Sequence, residues 1–272
     1  MEFRTIVDIS PLPFSIAPCE EMLFVGSCFA DHIGRRFVEE KFRAVVNPYG
    51  VMYNPASILH TVERFLGEEG RTPPKVTVLT LGTNHVYVLK ETGQIVDNCM
   101  KRPQKLFEER VLSVGECHDY LERAVGLLKA ACHDTRVIVT VSPIRYAKYG
   151  FHGSALSKAT LLLAAEKLVC TKPDFVAYFP AYEIVNDELR DYRFYQPDMI
   201  HPSEQAVEYV WQRMVETCLS DEARTFLQEW KPIKEALAHK PFNPESEEYK
   251  AFLKKTREKL EKLAEKYPQM PL

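Results

Sequence analysis

No run of apolar residues in this 272-residue chain approaches the roughly 18 to 20 that a membrane-spanning helix needs; the greasiest stretches, around Leu161 to Ala165 and Met22 to Val25, are far shorter. A basic excess is lacking too. Thirty-five Lys plus Arg stand against 38 Asp plus Glu, a formal charge of -3, so nothing in the balance would neutralise a phosphate backbone or coat an anionic bilayer. Neither nucleic acid nor a membrane is expected as a partner. The first residues carry Glu2 and Asp8, with prolines interrupting the apolar ones, and so lack the basic and continuous hydrophobic regions of a secretory signal. The seven cysteines are odd in number and no two fall within four residues of each other, which argues against a disulfide framework and a clustered zinc site. A reducing, cytoplasmic setting is expected, with Cys117, Cys170 and Cys218 as small buried hydrophobes. The eight histidines form no His-Glu-x-x-His and no paired Cys/His cluster, so neither metal nor cofactor is called for. Internal repeats and low-complexity segments are absent.

What is present suffices for one sizeable core: 46% hydrophobic and 27% charged side chains, in a length that a single α/β domain can reach. The charged fraction rises from about 24% to about 40% near Ser220. That shift divides the chain into a body, residues 1–219, and a charged helical extension, residues 220–272, whose Tyr249, Phe252, Leu253, Leu260 and Leu263 recur at helical spacing. An amphipathic helix packed on the same domain is expected there.

Within the body, short β-branched runs alternate with segments whose apolar residues recur every three to four positions, the pattern of βα units and a parallel sheet. The strands are read at Met22 to Gly26, Arg43 to Asn47, Val76 to Leu81, Arg136 to Ser142 and Asp174 to Phe179. A hairpin, His85 to Lys90 with Gln94 to Asn98, is inserted after the third. Helices start at Asn54-Pro55, with N-cap and N1 proline, at Ser113 with Glu116 as a capping box, and near Pro202. Between the fourth and fifth strands a helix is expected to bury Leu156, Leu161, Leu162, Ala165 and Leu168. The fold class is α/β: a three-layer αβα arrangement on a five-stranded, mainly parallel sheet. Ligands of such sheets bind outside the carboxyl ends of the strands.

Reactive groups gather at that edge. Ser27 would occupy a tight strand-to-helix turn, with Gly26 permitting an unusual backbone and the helix N-terminus favouring negative charge. A serine hydroxyl needs a base, most often a histidine oriented by a third group. Asp198 and His201, three residues apart after the fifth strand, can meet that need. Acyl transfer also needs donors for an oxyanion, and the Ser27 amide, the Gly50 amide and the Asn84 side chain fall on loops of the same edge. Gly50 and Asn84 could equally serve only their turns. Arg145 could clamp an anionic substrate group or pair with an acidic side chain. The loops around Tyr49, Tyr53, Tyr146 and Phe151 could stack on a sugar ring. Cys28 is read as packing under the sheet edge.

Gly26 to Ala30 reads GSCFA, and with it stand Asn47-Pro48-Tyr49-Gly50, Tyr53-Asn54-Pro55, Leu81-Gly82-Thr83, Asn98-Cys99, Ser142-Pro143-Ile144-Arg145, Ser157-Lys158 and Asp198-Met199-Ile200-His201-Pro202. In these motifs the chain, over about residues 5–240, resembles the GSCFA family, a branch of the SGNH (GDSL-type) hydrolases. The resemblance implies a flavodoxin-like fold and esterase chemistry, with Ser27 as nucleophile and first oxyanion donor, Gly50 and Asn84 as further donors, and Asp198 and His201 completing a triad. The chain departs from the family pattern at Met100, where a histidine follows Asn-Cys, and in the short stretch 67–75. Gly82-Thr83-Asn84 fits the wider superfamily's Gly-x-Asn block. The function expected is removal of an O-acyl group from a small-molecule or carbohydrate ester; an O-acyltransferase and a silent glycan-binding module are the alternatives.

Overall fold

The strand β1 (Glu21–Gly26) is apolar on both sides and buried almost throughout, as a central strand covered on both faces must be. It pairs in parallel with β2 (Arg43–Val46) and with β3 (Val76–Leu81). Beyond β3 lie β7 (Arg136–Val141) and β8 (Val176–Tyr178), so the five-stranded sheet has the order β2-β1-β3-β7-β8, all parallel. The computed structural model describes residues 4–271; Glu2, part of the N-terminal charge pattern, lies outside them. The chain leaves β1 to one side for β2 and returns to the other for β3. The crevice between the carboxyl ends of β1 and β3 is thus the topological switch point, where ligands of doubly wound sheets bind.

Successive side chains of β1 point to opposite faces. Met22 and Phe24 join one core with Phe29, Ile33 and Phe37 of α1 (Cys28–Glu39), whereas Leu23 and Val25 join a second with α2 (Pro55–Gly67), α3 (Val114–Ala131) and α4 (Gly150–Thr171). Asn54 caps α2 through the Ser57 amide, and Ser113 with Glu116 forms the expected capping box of α3. After β8 come a short turn, α5 (Ala181–Glu183), and a π-helical stretch, Ile184–Leu189, before a loop leads into α6 (Glu204–Cys218), which Ser203 caps.

Four features differ from the sequence reading. The hairpin β4 (His85–Leu89) and β5 (Gln94–Val96) has a third strand, β6 (Phe107–Val111), so the insertion is a sheet of order β5-β4-β6. The charged, mostly exposed residues of β6 hide its period-2 signal. Leu156 is 57% exposed, because the inward stripe of α4 runs through Ser154, Ser157, Lys158, Leu161, Ala165 and Leu168 instead. Cys170, near the end of that helix, is exposed rather than core. The extension holds two helices, α7 (Asp221–Ala238) and α8 (Glu247–Lys266). Phe226, Trp230, Leu263 and Tyr267 of this segment share the α1-side core, and the Trp230 indole donates to Glu39 O at 3.3 Å.

No helix among the described residues is long and apolar enough to cross a membrane.

Candidate active site

Gly26 ends β1 with φ of +149°, and a side chain there would collide with Thr80 O on β3; only glycine lets the two strand ends close up and turn. Ser27 follows as N-cap of α1. Its Oγ accepts the Phe29 amide at 3.3 Å, and the residue is fully buried. The turn is braced by Asn47, itself at φ of +40°, whose Oδ1 accepts the Gly26 amide at 2.9 Å while its Nδ2 donates to Asp31 of α1 at 2.6 Å. The first helical turn aims its unpaired amides and partial positive charge at this spot.

Asp198 and His201 lie on the loop into α6. Asp198 Oδ1 accepts the amides of Ile200 (2.9 Å) and His201 (3.0 Å), and Oδ2 meets His201 Nδ1 at 2.6 Å. One carboxylate thereby fixes both the loop backbone and the imidazole. These bonds, led by the His201 amide, hold the Asp198 carboxyl down at about 2, so it is an anion at any ordinary pH. Nε2 of His201 has no hydrogen bond to the protein among the described residues. The loop is tied to the end of β7: Arg145 N donates to Ile200 O at 3.2 Å, and its guanidinium donates to Met199 O at 3.0 Å. His32 on α1 is close enough for the charge on His201 to help lower its pKa, although burial is the larger cause. The Asp198–His201 pair thus stands at the sheet edge that carries Ser27, with no hydrogen bond joining Ser27 to His201 in this structure.

The remaining expected residues are placed differently. The three oxyanion donors each have another acceptor: Ser27 N meets Thr80 O at 3.2 Å, Gly50 N meets Asn47 O at 2.9 Å within a turn, and Asn84 Nδ2 meets Leu112 O at 2.7 Å. Asn84 is buried between Ser157, which accepts its amide, and the start of α3. One of its two side-chain N–H groups thereby braces the insertion, and its Oδ1 is buried without a partner among the described residues. Tyr49 packs in the α2-side core with the Arg64 guanidinium 3.9 Å from its ring centroid. Tyr53 does stand over the edge, 40% exposed, its hydroxyl 3.8 Å from Cys28 Sγ. Arg145 makes no carboxylate pair among the described residues. It lies 4.1 Å from the Phe151 ring centroid and borders a cleft of about 240 Å³ with Asn186, Arg190, Tyr192 and Tyr195.

Two residues at this edge take a part that the sequence reading did not give them, Lys158 having been read only within the Ser157-Lys158 motif and Tyr146 only as a face for a sugar ring. Lys158 on α4 is buried with its ammonium donating to Gly82 O and Ser142 O, each at 2.7 Å, just beyond β3 and β7. Burial pushes its pKa down to about 7. Tyr146, after β7, stacks edge-on against Tyr53 with centroids 6.1 Å apart. A signal for Lys158 was available: polar residues 154, 157 and 158 continue the stripe of Leu161, Ala165 and Leu168, so a helix burying those leucines must bury the lysine too. Among the described residues no group of three or more His, Cys, Asp or Glu is placed to hold a metal ion.

Comparison with known proteins bears on the family. The sequence pattern described as "GSCFA family" matches residues 21–77 and 71–214, and that of "GSCFA domain protein, C-terminal domain" matches residues 230–272. No curated protein matches the chain. Similar solved structures include a candidate GDSL-like lipase from Parabacteroides merdae, 12% identical over 75% of this chain and 98% of that one, TM-score 0.49. A catalytic mutant of Axe2, an acetylxylan esterase from Geobacillus stearothermophilus, is 11% identical over 75% and 96%, TM-score 0.47. A Clostridium thermocellum family 3 carbohydrate esterase is 12% identical over 80% and 99%, TM-score 0.42.

Proposed function

The chain belongs to the GSCFA family, and from that premise we propose that it is a serine ester hydrolase removing a short O-acyl group from a carbohydrate or other small ester. The observation that carries the reading is the Asp198–His201 pair, locked by three hydrogen bonds to one carboxylate, at the switch-point edge where Ser27 caps α1. A carboxylate on Nδ1 selects the tautomer in which Nε2 is the base. His201 Nε2 takes the Ser27 hydroxyl proton as Oγ bonds to the acyl carbon. The tetrahedral intermediate then expels the alcohol, which receives that proton, and leaves an acyl-Ser27. Water, deprotonated by the same nitrogen, attacks the acyl carbon, and the proton returns to Ser27 as the acid departs. Ser27 is fully buried, so substrate must displace a neighbouring side chain to reach it; Tyr53, 40% exposed and in contact with the adjacent Cys28, is one such neighbour. The cleft beside Arg145, walled by Tyr192 and Tyr195, offers aromatic faces for a sugar ring. We read residues 1–219 as the catalytic body and 220–272 as an extension that completes its core.

The test is labelling with a fluorophosphonate followed by mass mapping, together with hydrolysis of p-nitrophenyl acetate and acetylated sugars with and without free sugar acceptor. Ser27 should be the labelled residue, Ser27→Ala should abolish both labelling and turnover, and acid should be released. Acylated acceptor instead of acid would make the chain a transferase; saturable binding without turnover or label would make it a binding module.

A further inference from the structure

An ester attacked at Ser27 develops a negative charge on its carbonyl oxygen, and that oxygen needs donors roughly 2.7–3.1 Å away. Asn84, expected to supply the side-chain donor, is buried and gives one of its two side-chain N–H groups to Leu112 O. Tyr146 is a second candidate. Its hydroxyl is buried and has no hydrogen-bond partner among the described residues. It lies over Gly82, the residue after β3, so closely that a side chain at 82 would collide with it. Gly82 in turn donates to Tyr53 O at 2.9 Å. The ring is held from three sides: edge-on by Tyr53, beneath by the Lys158 ammonium 5.0 Å from its centroid, and through its own amide, which donates to Ser154 Oγ at 3.2 Å.

A buried hydroxyl without a partner is costly to keep, and a structure that fixes one so firmly needs a reason. The neighbouring strand supplies it. Ser27 follows Gly26, the last residue of β1, the Tyr146 hydroxyl covers Gly82, just past the end of β3, and these two strands are neighbours, about 4.8 Å apart. The phenol is thus an unpartnered donor at the end of the strand beside the one that leads into Ser27.

We propose that the Tyr146 hydroxyl is the side-chain donor to the oxyanion formed at Ser27. The proposal rests on Ser27 being the nucleophile of an ester hydrolase. Tyr146→Phe removes the one oxygen atom and keeps the ring. It should lower kcat for p-nitrophenyl acetate by about 100- to 1000-fold, the usual loss for one oxyanion donor, while KM changes less than about threefold. The thermal midpoint should stay level or rise, because an unpartnered polar group has been removed. A merely structural tyrosine would instead lose stability and leave kcat near its original value. Asn84→Ala serves as the contrast, with a smaller loss of kcat and a clear fall in stability. Tyr146→Phe with kcat within threefold of the parent, in an enzyme whose Ser27 still takes the fluorophosphonate, overturns the donor role alone. An unlabelled Ser27 and no ester hydrolysis by the parent protein overturn the nucleophile and the donor together.

Discussion

Replacing Lys158 by Met probes the edge of the sheet through pH. In the folded protein the ammonium is sealed beneath the strand ends with two carbonyls and no carboxylate as partners, and burial moves its pKa from the usual 10.5 to about 7. The sign follows from proton counts. Between pH 7 and 10.5 the unfolded chain keeps this proton and the folded one sheds it, so stability rises with pH across that window and the penalty is fully present only below about 7. With one unit worth about 1.36 kcal/mol, the penalty is about 4 kcal/mol at pH 7 and about 2 at pH 9. The parent should therefore gain about 2 kcal/mol over Lys158→Met between those two values. The variant also leaves the Gly82 and Ser142 carbonyls without this donor, a loss of about 1–3 kcal/mol each. That term does not depend on pH and cancels when the difference at pH 9 is subtracted from the difference at pH 7. Equilibrium urea unfolding of both proteins at pH 7 and pH 9 measures it. An identical stability gap at the two values would mean that the carbonyl pair holds the lysine charged throughout, and would refute the depressed pKa.

Asp198→Asn keeps the shape of the loop but favours the wrong imidazole tautomer, so kcat should fall by up to roughly 10,000-fold with little change in KM; steady-state kinetics showing a raised KM at unchanged kcat would make Asp198 a binding residue. Gly26→Ala forces a side chain into Thr80 O at a backbone angle suited to glycine and should cost about 2 kcal/mol or more, read as a lower urea midpoint. Arg145→Met removes the bond to Met199 O and should loosen the His201 loop, seen as faster amide hydrogen exchange at residues 196–201 and a reduced kcat; unaltered exchange would leave Arg145 with no hold on that loop.

The positions of the five sheet strands, the caps of α2 and α3 and the pairing of Asp198 with His201 were legible in the sequence, because each is decided within a few residues; the spatial order β2-β1-β3-β7-β8 was not. Apolar alternation sets a strand, Asn54-Pro55 starts a helix, and a carboxylate three residues before a histidine at a helix entrance reaches back to it on one turn. The GSCFA motif likewise marked the turn at Gly26–Ser27. Other parts were settled by contacts between segments far apart in the chain. Asn84 gives a side-chain N–H to Leu112 O, 28 residues on, a contact no local pattern announces. The third strand of the insertion, β6, exists by pairing with β4 and not by any pattern of its own. Lys158 and Tyr146 acquired chemistry only when α4 and the loop after β7 closed over Gly82. A hydroxyl's partners and an ammonium's burial depend on what packs around them in three dimensions, which no local pattern encodes. The sequence therefore determined the strands and helices of the scaffold and the Asp198–His201 pair, and the tertiary packing decided which polar groups at that edge remain without a partner.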